Sequence, residues 1–186
     1  MNSIPITLKS LVGACLLLCL TVTPCIHAQV KPAPRLDRQS LISAAREIMK
    51  TARYCALITL DSNGRPQART MDPFPPADNM VVWLGTNPNS RKVREIRRDA
   101  HVTLYYAVKE DQAYVAISGR ARIITDAKAK ARYWKDEWKD FYPDREKGYV
   151  LITVIPQKLE VVDVKHGIIG GNSITWEPPS FTFGNR

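Results

Sequence analysis

The stretch Thr86-Asn87-Pro88-Asn89-Ser90-Arg91-Lys92 lies between a strand-like apolar run and a short helical pattern. The first N–H groups of a helix have no internal partner, and the helix dipole favours an anion there. Ser90, Arg91 and Lys92 add a hydroxyl and two cations at this point, which is the chemistry of a phosphate-binding site. The positive run continues through Arg94, Arg97 and Arg98. A solvated basic face is therefore an equally good interpretation of these residues alone.

The segment before this stretch predicts a hairpin. Tyr54–Leu60 is an apolar run with strand character, and it stops at Asp61-Ser62-Asn63-Gly64, where Asn-Gly favours a tight turn. Gln67–Met71 is the return strand and contains Ala68-Arg69-Thr70-Met71. The prolines of Asp72–Pro76 end it, because proline cannot donate to a strand ladder.

The remaining pattern predicts a chain made mainly of short strands. Asp37 is a plausible N-cap for a first helix with Leu41, Ala45, Ile48, Met49 and Ala52 on one face. Further strands are predicted at Met80–Thr86, His101–Val108, Ala113–Thr125, Tyr149–Ile155 and Lys158–Val164, with a helix from Asp126 to about Phe141. Gly119 indicates a bulge within its strand or a bend at a barrel corner. Many antiparallel strands with few helices favour a closed barrel over a doubly wound sheet.

The order of these motifs resembles the pyridoxamine 5'-phosphate oxidase superfamily, and within it the FMN-binding general-stress-protein group. The likeness covers roughly residues 41–164 and includes the hairpin, Ala-Arg-x-Met, Thr-Asn-x-x-Ser-Arg-Lys, Val102-Thr103-Leu104-Tyr105-Tyr106 and Ser118-Gly119-Arg120-Ala121. The resemblance implies a mainly β fold with flanking helices, a six-stranded antiparallel split β-barrel of the FMN-binding type. It also implies a homodimer with flavin at the interface.

The resemblance implies a set of cofactor-binding residues but no catalytic ones. Carried over by position, Arg69, Thr70 and Met71 lie along the FMN, and Thr86, Arg91 and Lys92 hold its phosphate, with Ser90 nearby. The family often has a glutamine where this chain has Tyr114. Gln112, two residues away and expected to point the same way on the strand, is a weak substitute.

The C-terminal segment departs from the family. Pyridoxamine 5'-phosphate oxidases grip their substrate with a C-terminal arginine and histidine, and this pair has no counterpart in Lys165–Gly171 or Trp176–Pro179. For His166, a surface or packing role is favoured over catalysis. We therefore expect an FMN-dependent oxidoreductase acting on an unidentified small molecule, without the namesake activity. The alternatives are a flavin-binding protein that does not turn over and a basic surface or nucleic-acid binder.

The first residues predict export. Lys9, the apolar run Leu11–Leu20 and the small-residue site Ile26-His27-Ala28 form the pattern of a secretory signal, residues 1–28, and the run is shorter than the roughly 20 residues that span a bilayer. An uncleaved membrane anchor is one alternative, and a lipoprotein signal through Val12-Gly13-Ala14-Cys15 is a weaker one because the apolar run continues past the cysteine. Residues 29–36 read as a linker and 37–186 as one FMN-binding domain. The expected location is periplasmic or secreted, without stable membrane insertion, and export argues against a nucleic-acid partner.

Composition narrows the chemistry of the mature chain. Of the four cysteines only Cys55 follows the predicted cleavage site, which excludes an internal disulfide and a cysteine-based zinc site, so no metal is expected. Its apolar surroundings favour a buried, inert thiol. The whole chain has a net charge of +9, and the excess of positive charge suits an anionic partner. Trp134, Trp138 and Phe141 fall at helical spacing and favour packing in the core or a dimer over flavin stacking.

Overall fold

An antiparallel sheet dominates the computed structural model, which describes residues 36–171 and 174–184. The strands are β1 (Cys55–Leu60), β2 (Pro66–Met71), β3 (Val82–Thr86), β4 (His101–Val108), β5 (Ala113–Ile124), β6 (Val150–Asp163) and β7 (Ser180–Thr182). The helices are α1 (Arg38–Ala52), α2 (Arg91–Arg98) and α3 (Ala127–Arg132), and a 3₁₀ helix spans Asp136–Trp138. The prediction of a mainly β protein with flanking helices is confirmed.

The first helix forms as its sequence predicts. Asp37 is the N-cap of α1, and its carboxylate accepts a 2.7 Å hydrogen bond from the Ser40 amide. The buried face consists of Leu41, Ala45, Ile48 and Met49. Because this face packs against β4 and β5, α1 covers one side of the main core.

The sheet is open, which corrects the expectation of a closed barrel. Its strands follow the order β2-β1-β4-β5-β6-β3, with β7 added to β6, so β2 and β3 are the two ends of the path. An isolated bridge between Pro73 and Leu84 and a 2.8 Å bond from the Phe74 amide to the Trp83 carbonyl connect these ends. Proline in this segment keeps β2 from continuing as a full partner of β3. The seventh strand, β7, was not predicted.

The segment predicted as two strands is the single strand β6. Pro156 lies inside it without breaking it, because the register with β5 shifts between Ser118 and Gly119 and leaves Gln157 as an extra residue. A β-carbon on Gly119 would lie 2.3 Å from the Ile155 carbonyl oxygen. The bulge predicted at Gly119 is confirmed, and it accommodates a proline that a regular ladder would exclude.

The second predicted helix is much shorter than expected. α3 ends at Arg132 instead of continuing to Phe141. The Tyr149 hydroxyl donates to the Lys130 carbonyl at 2.5 Å, and Tyr133 stacks on Trp83 with ring centroids 4.3 Å apart. These tertiary contacts replace the helical bonds that the local pattern favours, so the chain turns back over β3 and β6.

An aromatic cluster forms where the helix was predicted to continue. Its members are Phe74, Trp83, Tyr133, Trp134, Trp138, Tyr142 and Tyr149. Trp138 is 7% exposed, and a β-carbon on Gly85 would lie 2.4 Å from its ring. Core packing is therefore confirmed for Trp138, whereas Phe141 is 77% exposed and lies outside this core.

The predicted signal peptide, residues 1–28, lies outside the described residues, and so does the linker up to residue 35. Within the described part of the chain, no helix has the length and apolar character needed to cross a membrane.

Candidate functional site

Three predicted site residues meet where β3 leads into α2. The Lys92 ammonium donates to the Thr86 hydroxyl at 3.1 Å, and the Thr86 and Ser90 hydroxyls are 3.4 Å apart. Thr86 is buried at the end of β3, and Ser90 is the N-cap of α2 with its hydroxyl not used as a cap. The hydroxyls and the ammonium therefore gather at the N-terminal end of a helix, where backbone N–H groups add further donors.

Positive charge is concentrated around Lys92. Partial burial, followed by the charges of Arg69 and Arg91, lowers the pKa of the Lys92 ammonium, while Glu95 opposes the shift. Three cations thus face one carboxylate, which leaves two positive charges unmatched. An anion bound here would relieve this repulsion and favour the charged form of Lys92.

Glu95 organises the cations of the site. Its buried carboxylate accepts hydrogen bonds from the Thr59 hydroxyl at 2.5 Å and from Arg69 at 2.8 Å. Its other oxygen, Oε1, lies 3.1 Å from Arg91 Nε, an ion pair without the alignment of a hydrogen bond. Burial alone raises the pKa of Glu95, but the bonds from Thr59 and Arg69 outweigh it, so the pKa lies below its ordinary value.

Glu95 and Thr59 were not predicted as part of the site. One signal pointed to Glu95, because a single acid in a helix of five cations lies four residues after Arg91, the spacing of a helical ion pair. No pattern in β1 distinguishes Thr59, whose role depends on the position of α2 above the sheet.

The predicted flavin strand presents its residues to opposite faces of the sheet. Arg69 lies opposite Leu57 on the inner face, where its guanidinium also donates to the Thr59 hydroxyl at 2.5 Å. Met71 is on the same face and buried. Thr70 is exposed on the outer face beside Ala56. Arg69 therefore belongs to the cationic group, whereas Thr70 is separated from it by the strand.

Gln112 lies apart from the other predicted residues. It is exposed in the turn before β5 with φ of 48°, so the expectation that it shares a strand face with Tyr114 is wrong. Ala113 pairs with Asp163 at one end of β6, while Thr86 pairs with Val150 at the other end. Within one chain, the turn therefore does not bring Gln112 to Lys92.

Other reactive residues are occupied elsewhere. Cys55 is buried, and burial raises the pKa of its thiol to about 12, as expected for an inert cysteine. His166 Nδ1 lies 2.7 Å from Asp163 Oδ2, and this hydrogen bond and the carboxylate charge raise the pKa of the exposed imidazole. No group of three or more metal-ligating side chains is present among the described residues.

The fold and the candidate site define a class: small, mainly antiparallel β proteins with a cationic, hydroxyl-rich position at the start of a helix. The chain belongs to the family described as "Pyridoxamine 5'-phosphate oxidase like", whose model matches residues 41–170. The family assignment made from the sequence motifs is therefore confirmed.

Known relatives agree with this assignment at low identity. General stress protein 26 from Bacillus subtilis is 20% identical over 132 residues, which cover 69% of this chain and 92% of that protein. A solved protein from Clostridium acetobutylicum related to general stress protein 26 is 19% identical, with a TM-score of 0.65 over 80% of this chain and 97% of its own. A pyridoxamine 5'-phosphate oxidase-related, FMN-binding protein from Nostoc punctiforme is 16% identical, with a TM-score of 0.57 over 82% and 98%.

The same fold also occurs with another ligand. A heme-binding protein from Mycobacterium smegmatis is 18% identical, with a TM-score of 0.57 over 79% of this chain and 60% of its own. At these identities the likeness to solved structures concerns the fold, so the ligand of this chain must be argued from its own residues.

Proposed function

We propose that this protein is an FMN-binding flavoprotein whose anion site, formed by Thr86, Ser90, Arg91 and Lys92, holds the FMN phosphate. The observation that carries the proposal is the meeting of Lys92, Thr86 and Ser90 at the N-terminal end of α2. The family and the FMN-binding relative support flavin as the ligand.

The residues present fit such a group in charge and in donor chemistry. A phosphate monoester carries about −1.5 to −2 charges at pH 7 and accepts several hydrogen bonds. The site offers two unmatched positive charges, and Glu95 holds Arg69 and Arg91 in place through its carboxylate. Bound FMN would supply redox chemistry, while the chain would supply binding, orientation and electrostatics.

A second copy of the chain would complete the site. The outer face of the sheet carries a row of small or uncharged side chains, Thr70, Ala56, Tyr105 and Ala116, across β2, β1, β4 and β5. Tyr105 is 40% exposed and lies 5.4 Å from the ring of Tyr114. Burying this face in a two-fold dimer would place Thr70 at the interface and would let Gln112 of one subunit approach the flavin of the other.

The proposed activity is an oxidoreduction of a small molecule outside the cytoplasm. A flavin-binding protein without turnover is the alternative, because the one carboxylate described within the anion site, Glu95, is already held by Thr59, Arg69 and Arg91. Reduction of the flavin by a candidate donor, followed by reoxidation over many cycles, supports the oxidoreductase. Binding without turnover across a donor panel supports the alternative.

Pyridoxamine 5'-phosphate oxidation is not expected. The substrate needs its own anionic grip beside the flavin, since binding energy from a remote phosphate positions the reacting carbon. The family's C-terminal arginine and histidine pair has no counterpart in Lys165–Gly171 or Trp176–Pro179. Formation of pyridoxal phosphate at about 1 per second or faster by flavin-loaded protein would contradict this expectation.

The first test identifies the bound cofactor without assuming which molecule it is. The mature chain is purified from its native host, denatured, and the released small molecules are identified by mass spectrometry. Recovery of FMN supports the proposal, and recovery of heme, or of no flavin with no uptake on reconstitution, contradicts it. N-terminal sequencing of the same sample tests export, because a chain beginning near Gln29 supports cleavage and a cytosolic chain retaining Met1 contradicts it.

The sharpest test of the phosphate site compares two lysine variants. Lys92→Met should weaken FMN binding about 10- to 150-fold, the value of a charge-assisted hydrogen bond. Lys128→Met, at an exposed position of α3, is the matched control and should leave the affinity unchanged. Riboflavin lacks the phosphate, so its binding should hardly respond to Lys92→Met. Equal losses for FMN and riboflavin would show that Lys92 is structural.

A further inference from the structure

A second basic groove lies away from the candidate flavin site. It has a volume of about 460 Å³ and forms where β5, β6 and the segment after β7 meet the start of α1. Pockets that hold small ligands have volumes of about 300–1,000 Å³. Arg38, Arg120 and Arg122 line the groove, and none of its described lining residues is acidic.

Two of these arginines are held in place by neighbouring side chains. The Arg38 guanidinium lies over the Phe181 ring, 5.0 Å from its centroid. Arg120 Nη1 lies 3.0 Å from His101 Nε2, and His101 Nδ1 lies 2.7 Å from Asp99 Oδ1. A guanidinium can only donate, so Nε2 accepts and the imidazole proton is on Nδ1, where it is donated to Asp99. These contacts order both guanidinium groups before any ligand arrives, which reduces the entropy lost on binding.

The walls between the arginines are apolar. Ile155 and Pro156 come from the bulged part of β6, Ala121 from β5, and Phe183 from the segment after β7. A fully hydrated inorganic anion would contact only the guanidinium groups and would leave the apolar walls uncovered. A ligand that combines an oxyanion with a flat apolar body would satisfy the guanidinium groups and cover the apolar walls together.

We propose that this groove binds a small organic anion, a phosphate or a carboxylate carried on a planar apolar body. The site is separate from the one proposed for FMN. Thr86 pairs with Val150, and Ile155 lies five residues further along β6, or roughly 16 Å at the rise of a strand. The groove shares no described lining residue with the candidate flavin site, so the inference goes beyond the proposed function.

The test uses three probes of one shape on the mature protein as purified. 1-Naphthyl phosphate and 1-naphthoate carry the two possible oxyanions, and 1-naphthol is their neutral control. Calorimetry should show saturable binding of at least one anion, with 1-naphthol at least about tenfold weaker. The tighter anion identifies the headgroup.

Variants then assign the binding to the groove. Arg122→Ala, at an exposed position, should weaken the bound anion about tenfold or more, and Arg120→Ala should do the same, with Arg120→Lys retaining part of the affinity. Lys128→Ala is the control and should not change binding. Flavin content should stay unchanged in all four variants.

Three results would overturn the proposal. The first is no saturable binding of either anion up to about 1 mM. The second is binding of 1-naphthol as tight as that of the anions, which would leave only an apolar surface. The third is loss of FMN from Arg122→Ala, or release of flavin by the probes, which would make the groove part of the flavin site. If the wild-type protein bound the organic anion but not FMN, the proposed function would fail while the proposal for this groove would stand.

Discussion

Two regions flank the stretch from Met71 to Phe74, and they hold it by different physics. On one side Arg69, two residues earlier, is tied to Glu95 and Thr59 by short charge-assisted bonds. On the other side Phe74 packs edge-on against Trp138 at 5.5 Å, and Lys135 pairs with Asp72 at 2.7 Å. The polar site is stabilised by complementary charges, whereas the aromatic cluster is stabilised mainly by the burial of apolar surface area.

The difference determines how each region should fail. A carboxylate removed from a buried ion network leaves cations without compensation, and its contribution depends on pH. An aromatic ring removed from a packed cluster leaves a cavity, and its contribution does not depend on protonation. Single substitutions in each region, measured across a range of pH, test this contrast.

Trp138→Ala should cost about 3–5 kcal/mol of unfolding free energy, since the ring is almost fully buried and fills the space above Gly85. Urea unfolding with an unchanged slope measures the loss. Phe141→Ala, at a position 77% exposed, is the control and should change stability by less than about 0.5 kcal/mol. A loss below about 1 kcal/mol for Trp138→Ala would mean that the cluster does not act as a second core.

Glu95→Gln should cost about 1.5–3 kcal/mol near neutral pH, the value of hydrogen bonds to a charged group. The pKa of Glu95 lies below its ordinary 4.5 in the folded state, so its stabilisation is complete above that value and is lost as the pH falls through the folded pKa. The stability difference between wild type and variant should therefore be constant above about pH 5 and shrink in acid. The exposed Glu110→Gln is the control for charge alone.

The same pH series sharpens the contrast between the regions. The loss caused by Trp138→Ala should not shrink in acid, because no titrating group of the cluster accounts for it. If instead both losses followed pH in parallel, the polar site and the aromatic cluster would unfold as one electrostatically coupled unit.

Arg91→Ala should have the smallest effect on stability, at most about 1 kcal/mol, and salt should reduce it further. Its side chain is 59% exposed, so solvent screens its pair with Glu95. Unfolding at low and high ionic strength measures both points. A loss as large as that of Glu95→Gln would show that the pair of Glu95 with Arg91, rather than its pair with Arg69, accounts for the stability that this network contributes.

Local signals in the sequence predicted the parts of the fold that local chemistry controls. The Asp37 cap, the hairpin before β2 and the bulge at Gly119 are each written in one or two residues. The predicted end of the helix after Asp126 was wrong, because α3 stops where the hydroxyl of Tyr149, a residue distant in the sequence, donates to the Lys130 carbonyl. β7 was missed because its three residues, Ser180–Thr182, have no distinctive strand pattern of their own. The strand is defined only by its pairing with Lys158–Glu160.

The candidate site was predictable to the same extent. Thr86, Ser90 and Lys92 lie within one short motif, and the structure brings them together. Thr59 and Arg69 join them only through the packing of α2 on β1, which no spacing in the sequence encodes. Strand alternation predicted that Gln112 belongs to the same strand as Tyr114. In the structure Gln112 lies in the preceding turn with a positive φ, and β5 begins one residue later, at Ala113.

The extra residue in β6 has a consequence for insertions and deletions. Before the bulge, the even-numbered Ile152 and Val154 face the main core, and after it the odd-numbered Leu159 and Val161 do. Gln157 thus reverses the parity of the strand. Deleting this one exposed residue would restore a regular alternation in which Leu159 and Val161 still face the core, so its cost would be the loss of the bulge around Pro156. Inserting one residue at a regular position of β6 would instead exchange inside and outside for everything after it. The strand therefore tolerates a change of length at Gln157 better than at its regular positions.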